Sequence, residues 1–173
     1  VLFGRGSTGG AINQVTKRPT LDPITDFSVN IGSDNTIRAT TDISRPIELL
    51  GSGTAFRFNV LSHQGEVTDR DGAKAKRFGF APSLAFGLES DTQVPLSYMK
   101  QTSDDRPDYG IPWLNGKPVP VSRQNFYGFD SDFLETDADI FTVDIIHQFN
   151  DSVSLNALTR YANYERESRI TEA

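Results

Sequence analysis

The sequence predicts an all-β fold of about seven antiparallel strands, and three observations support this prediction. Apolar and polar residues alternate with a period of two from about residue 26 onward, as in strands that have one apolar and one polar face. The alternating runs approach the roughly 9–11 residues that a tilted strand needs to cross a bilayer. The connections alternate between short and long, which is typical of transmembrane barrels with long outer loops.

Seven runs predict the strands in order along the chain, and turn residues separate them. Gly32-Ser33-Asp34-Asn35, for example, has hairpin-turn chemistry between the first two runs. The apolar or small positions of the first three are Phe27, Val29 and Ile31; Ile37, Ala39, Thr41 and Ile43; and Phe56, Phe58 and Val60. Those of the other four are Phe78, Phe80, Leu84, Phe86 and Leu88; Val94, Leu96 and Tyr98; Phe141, Val143, Ile145 and Phe149; and Val153, Leu155, Ala157 and Tyr161.

Strand parity predicts which side chains share a face, because a slip of one residue would exchange the two faces. The apolar set Phe58, Phe80, Phe86, Phe141 and Ile145 is predicted to face lipid, and the charged set Arg38, Arg57, Arg77, Asp144 and Arg160 the lumen. Residues 32–35, 66–75 and 104–136 are predicted at one end of the hairpins, and residues 46–53, 89–92 and 149–152 at the other. The connection 104–136 would be a long loop without structure of its own, which is usually functional.

Composition argues against several classes of function. The net charge is −6 and no run of Lys and Arg occurs, which argues against a nucleic-acid partner. The chain has no cysteine, and its two histidines, His63 and His147, fall on different predicted strands. The acidic set Asp130, Asp132, Glu135, Asp137 and Asp139 is interpreted as solvated loop charge. Because no nucleophile lies beside a base, we do not expect an enzyme, and no catalytic or metal-binding residue is assigned.

Residues 1–19 do not alternate and carry a distinct motif. Gly4, Gly6 and Gly9 make a G-x-G-x-x-G spacing, but the stretch that follows is too short for a nucleotide-binding helix and runs into Pro19. The sequence Phe-Gly-Arg-Gly-Ser-Thr-Gly-Gly-Ala-Ile-Asn-Gln-Val-Thr-Lys-Arg-Pro at Phe3–Pro19 resembles the end of the plug domain of TonB-dependent siderophore receptors. Three further stretches resemble this family: Asp42–Pro46, Phe56–Asn59 and Arg106–Trp113.

The resemblance implies a plugged 22-stranded antiparallel transmembrane β-barrel in the bacterial outer membrane, of which the chain is an N-terminal fragment. Residues 1–22 would be the C-terminal end of the plug, with residues 1–19 inside the barrel, and residues 23–173 the first barrel strands. The implied function is TonB-dependent uptake of a ferric siderophore, with outer-membrane lipid and lipopolysaccharide as further partners. The iron arrives chelated, so no resident cofactor is expected. The TonB-contacting segment is not in the sequence.

The long loop is the candidate ligand site. Tyr109 and Trp113 are its best candidate contacts, with Arg106 as electrostatic support, because aromatic faces pack on flat ligands and cations attract an anionic ferric complex. In the resembling receptors an aromatic pair in this loop touches the siderophore. Alternatively, both rings only pack the loop onto itself. Two other functions stay open: a soluble or surface β-structured adhesion or carbohydrate-binding module, and the same receptor fold with haem, cobalamin or glycan as cargo.

Overall fold

The computed structural model describes residues 16–171, which form an all-β fold with seven long strands in one antiparallel sheet. The seven long strands correspond to the seven predicted runs and pair in chain order, and two short strands make a separate hairpin. The strands are β1 Ile24–Ile31, β2 Ile37–Pro46, β3 Ala55–Glu66, β4 Lys74–Phe86, β5 Thr92–Arg106, β6 Trp113–Leu114, β7 Lys117–Pro118, β8 Phe133–Asn150 and β9 Val153–Arg169. A short 3-10 turn spans Glu48–Leu50. The described residues include no helix long and apolar enough to cross a membrane.

The connections lie at the predicted ends of the sheet, but the long loop differs from its prediction. The pairing between β5 and β8 extends as far as Asp105, which lies opposite Leu134. The long loop therefore spans 107–132 rather than the predicted 104–136. It also has structure of its own, the β6–β7 hairpin. Asn115 and Gly116 form its turn with φ of 51° and 73°, the left-handed pair of a type I′ turn. The Asn-Gly pair that favours such a turn is present in the sequence, but the two-residue strands beside it are too short to show an alternating pattern.

Cross-strand register confirms that the predicted apolar and charged sets lie on opposite faces of the sheet. Arg38 lies opposite His63, and His63 opposite Arg77, while Thr142 lies opposite Arg160. We call the face that carries these charged residues the polar face. The opposite face, which carries Phe58, Phe80, Phe86, Phe141 and Ile145, is the apolar face. All ten residues fall on the side that parity assigned relative to one another.

The apolar face is exposed rather than buried in a protein core. Phe58 is 38% exposed, Phe141 46% and Tyr161 71%. Among residues 16–171, the fully buried apolar side chains are all alanines: Ala55, Ala73 and Ala85. A soluble sandwich would bury its apolar face against a second sheet. The described part of the chain lacks that second layer, so this face needs an apolar environment from outside it.

The apolar face changes to a charged surface at a row of aromatic rings. Tyr98, Phe141 and Tyr161 lie directly opposite one another across β5, β8 and β9. One step nearer the long loop, Lys100 Nζ pairs with Asp137 Oδ1 at 2.5 Å and Asp139 Oδ2 at 2.7 Å, and the Tyr98 hydroxyl donates to Asp139. Asp137 and Asp139, like Glu135, are therefore strand residues of β8, and their interpretation as loop charge was wrong. Because β8 already begins at Phe133, all three residues pair with β5 as part of the sheet.

Residues 16–20, which we call the strap, cross the polar face without joining the sheet. Lys17 Nζ lies 2.7 Å from Asp42 Oδ2 on β2, and Arg18 Nη2 lies 2.7 Å from Asp144 Oδ2 on β8. In a flat sheet, these strands would be roughly 19 Å apart. Lys17 and Arg18 are adjacent in the chain, yet they reach β2 and β8 respectively. The sheet is therefore expected to curve around the strap, with the polar face inside. The predicted position of residues 1–19 inside a barrel falls mainly outside the described residues.

Candidate functional site

Two connections at the same end of the sheet are joined through Arg70. Its Nε lies 2.6 Å from Asp108 Oδ2, and its Nη1 donates to the Asn125 carbonyl at 2.8 Å. The backbone N–H of Asp71 also donates to the Gln124 carbonyl at 2.9 Å. The 67–73 turn therefore supports the long loop. Sequence reasoning missed Arg70, because a single arginine in a turn carries no signal of its distant partner.

Tyr109 and Trp113 lie together at a cavity of about 370 Å³ in the long loop, whose walls include Phe126 and Tyr127. Tyr109 is 58% exposed and Trp113 68%. Gly110 between them has a φ of 96°, and its N–H donates to Asp108 Oδ1 at 3.0 Å. The turn presents both rings to the outside, and the described loop does not enclose them. The cavity is therefore open to a flat or apolar ligand.

Arg106 is placed apart from the two aromatic residues. It is the last residue of β5, lies opposite Lys74, and does not line the cavity at Tyr109. Its Nη1 donates to Asp130 Oδ1 at 3.1 Å, and its Nη2 to the Asp130 carbonyl at 3.3 Å. The guanidinium therefore holds the base of the loop, which is a positioning contact.

Asp132 fastens the other base of the loop to the end of β9. The carboxyl is buried and accepts hydrogen bonds from the N–H of Phe129, the N–H of Thr171 and the Thr171 hydroxyl at 3.1, 3.1 and 2.9 Å. It is thus not the solvated charge that the sequence suggested. Burial raises the pKa of Asp132, but these hydrogen bonds outweigh burial and hold it below the usual 3.8.

Asp132→Asn is expected to speed amide hydrogen exchange of residues 107–132 at neutral pH, because an amide nitrogen cannot accept the hydrogen bonds that the carboxylate accepts. In the unchanged protein, a lowered pKa means that this contribution is present above pH 3.8 and is lost as the pH falls through the lowered value. Asp151→Asn is the matched control, because Asp151 is exposed in the turn between β8 and β9, at the opposite end of the sheet. Equal exchange in the two variants would contradict the anchoring role.

The described residues offer little for catalysis or metal binding. Within residues 16–171, no group of three or more His, Asp or Glu side chains could hold a metal ion. His63 and His147 lie on β3 and β8, as predicted, and on opposite faces. His147 Nδ1 lies 2.8 Å from Thr92 Oγ1. Binding through the exposed loop aromatics is the chemistry that this arrangement supports best.

Comparisons with known proteins give consistent relatives. No family model matches the chain. It is 36% identical to the "Probable TonB-dependent siderophore receptor PiuA" of Acinetobacter baumannii, over 93% of this chain and 22% of that protein. It is 33% identical to the "Catecholate siderophore receptor Fiu" of Escherichia coli K12, over 98% and 24% respectively. The crystal structure of the ferric-catecholate import receptor Fiu in its closed form superposes with a TM-score of 0.89 at 34% identity, covering 97% of this chain and 25% of that one. The chain thus spans about a quarter of the length of these relatives.

Proposed function

The chain belongs to the TonB-dependent siderophore receptors of the outer membrane, and on that basis we propose that the whole protein takes up a ferric siderophore. One observation carries the proposal: the sheet has an exposed apolar face on one side and, on the other, a polar face bound to the strap. A transmembrane barrel around a plug needs lipid outside and polar contacts inside. The adhesion or carbohydrate-binding alternative leaves the apolar face without a partner.

We propose the plugged 22-stranded barrel as the full architecture. Residues 1–22 form the C-terminal end of the plug, and residues 23–173 form the first barrel strands. The ion pairs of the strap and the chain-order pairing of the seven long strands support this division. The apolar face would contact lipid, and the charged surface beyond Tyr98, Phe141 and Tyr161 would meet lipopolysaccharide head groups. TonB would be the energy-supplying partner of the whole protein.

The ligand contact is proposed at the exposed loop aromatics. Tyr109 and Trp113 would stack on the organic part of the siderophore, and Arg106 would hold the loop through Asp130 while adding positive charge. No covalent chemistry is required, and the iron enters already chelated. Under iron limitation, a strain deleted for the receptor should fail to grow on a defined ferric siderophore that supports the parent strain, and growth equal to the parent's on every siderophore would contradict the proposal.

Replacing Tyr109 and Trp113 together with alanine is expected to weaken ferric-siderophore binding by about 1–4 kcal/mol, because exposed aromatic residues commonly dominate the energy of a binding site. Binding of the radiolabelled ferric complex to outer-membrane vesicles measures the loss. Leu49→Ala is the control, because Leu49 is 94% exposed at the opposite end of the sheet. Unchanged affinity in a correctly inserted double variant would show that both rings only pack the loop.

A further inference from the structure

The cavity at Tyr109 and Trp113 has two walls that come from different parts of the long loop. The first wall consists of residues 107–113, and the second of residues 126–128. No strand pairing joins the two walls directly, because the β6–β7 hairpin pairs only with itself. Their separation therefore depends on contacts from outside the cavity.

Arg70, in the turn between β3 and β4, contacts the loop on both sides of the cavity. Its Nε lies 2.6 Å from Asp108 Oδ2 in the first wall, and its Nη1 donates to the carbonyl of Asn125, next to the second wall, at 2.8 Å. The side chains of Arg70 and Asp108 are only 11% and 17% exposed. One guanidinium, largely removed from solvent, therefore bridges the two walls.

Each of these two contacts continues to an aromatic residue of the cavity. Asp108 Oδ1 also accepts a hydrogen bond from the Gly110 N–H at 3.0 Å, which fixes the turn that carries Tyr109. On the other side, Asn125 Nδ2 donates to the Tyr127 hydroxyl at 3.1 Å. The position of Arg70 thus determines the positions of rings in both walls.

The rest of the same turn supports the second wall. The N–H of Asp71 donates to the Gln124 carbonyl at 2.9 Å. A Cβ atom on Gly72 would lie 3.2 Å from the nearest atom of the Phe126 ring, so this ring packs directly on the glycine. Gly72 also has a φ of 78°, a conformation that residues with a Cβ seldom adopt. The turn therefore needs glycine here on both counts.

The β3–β4 turn is fixed in its own place, as a positioning element must be. Asp69, directly before Arg70, has a φ of 55°, and a residue other than glycine keeps such a conformation only where its surroundings enforce it. Thr68 Oγ1 donates to Asp34 Oδ2 at 2.7 Å, and the N–H of Glu66 to the Asp34 carbonyl at 2.9 Å. The β1–β2 turn thus holds the β3–β4 turn, which in turn holds the long loop.

We propose that Arg70 is a positioning residue that sets the separation of the two cavity walls and thereby the affinity for the ferric complex. The proposal rests on the proposed uptake function and adds a determinant of affinity outside the loop that carries Tyr109 and Trp113. Arginine suits this role because its planar group donates in several fixed directions, whereas lysine carries a single ammonium group. Rings that are held in place before binding lose less conformational entropy when they bind.

The first measurement concerns the separation of the walls without any cargo. Spin labels at Leu114→Cys and Arg123→Cys, both exposed positions, report the distance across the cavity by electron paramagnetic resonance. The sample is the full-length receptor in lipid vesicles, in a background without other cysteines. Arg70→Gln should broaden the distance distribution, and Arg70→Lys should broaden it nearly as much, although it keeps the charge. Lys74→Gln is the matched control, because it removes an exposed positive charge just beyond the turn, and it should leave the distribution narrow.

The second measurement concerns binding of radiolabelled ferric complexes of a synthetic tripodal tris-catecholamide and of a linear trihydroxamate. For each complex that the unaltered receptor binds, Arg70→Gln should weaken binding by about tenfold, since the walls must then be ordered on binding. Lys74→Gln should leave the affinity unchanged. Arg70→Gln/Asp108→Asn should lose little more than Arg70→Gln alone, because residues that act through one contact are not additive. Heat-resistant migration on gels shows that the barrel of each variant has closed.

The outcomes separate this proposal from the uptake function. An unchanged distance distribution or undiminished binding in the Arg70→Gln receptor would overturn the positioning role and leave the uptake function standing. Equal losses in the Lys74→Gln receptor would also overturn it, because only the general charge would then matter. Failure of the unaltered receptor to bind either complex would overturn both proposals.

Discussion

Replacing Leu96 with arginine is expected to destabilise the inserted barrel by about 2–4 kcal/mol, if the side chain lies near the middle of the bilayer. Leu96 stands on the apolar face, directly opposite Leu84 and Val143. Phe141 belongs instead to the aromatic row that borders Lys100 and Asp139. An arginine at Phe141 should therefore cost only about 0–1 kcal/mol, as near a membrane interface. The order of the two effects follows from depth alone.

Urea unfolding of the full-length receptor in lipid vesicles measures both differences. Gln101→Arg is the control on the same strand, because Gln101 lies on the polar face opposite Gly79 and Ala138. It should insert with little change in the free energy of unfolding. If the arginine at Leu96 proves as harmless as the one at Gln101, the apolar face does not contact lipid, and the barrel architecture is contradicted.

Asp42→Ala is expected to destabilise the protein by about 3–5 kcal/mol, because it leaves the Arg57 guanidinium buried without its counter-ion. Arg57 Nε and Nη2 donate to the two Asp42 carboxylate oxygens at 2.8 and 2.6 Å. The two side chains are only 9% and 12% exposed. Asp42 also binds Lys17 of the strap at 2.7 Å. The same change should therefore loosen the strap as well as the wall.

Unfolding in urea gives the stability loss, and limited proteolysis near Lys17 reports on the strap. Asp105→Ala is the comparison variant: its own side chain is 15% exposed, but its partner Arg77 is 49% exposed and lies 3.2 Å away. An ion pair with one half-exposed member contributes about 0–1 kcal/mol. Similar losses for Asp42 and Asp105 would show that burial adds nothing to the Asp42–Arg57 pair, and an unchanged proteolysis pattern would show that Lys17 does not hold the strap.

Local pattern predicted the strands and their faces well, because the side chains of a strand alternate whatever the strand pairs with. Phe58 and Arg57, for example, were assigned to opposite faces from sequence, and the register confirms it. The same reasoning failed for the loop. The Asn115–Gly116 hairpin was missed beside its two-residue strands, and Asp132 was interpreted as solvated although it binds Thr171, 39 positions later.

By itself, the sequence determined the all-β class, the division of each strand into two faces and, through Phe3–Pro19, the resemblance to the receptor family. Only the tertiary structure decided which side chains meet across strands. Arg18 binds Asp144, 126 positions away, Arg106 holds Asp130, and Arg70 joins Asp108 to Asn125. Alternation is local and follows from backbone geometry, whereas the residue-by-residue register between strands depends also on the geometry of the connections that join them, which here differ in length.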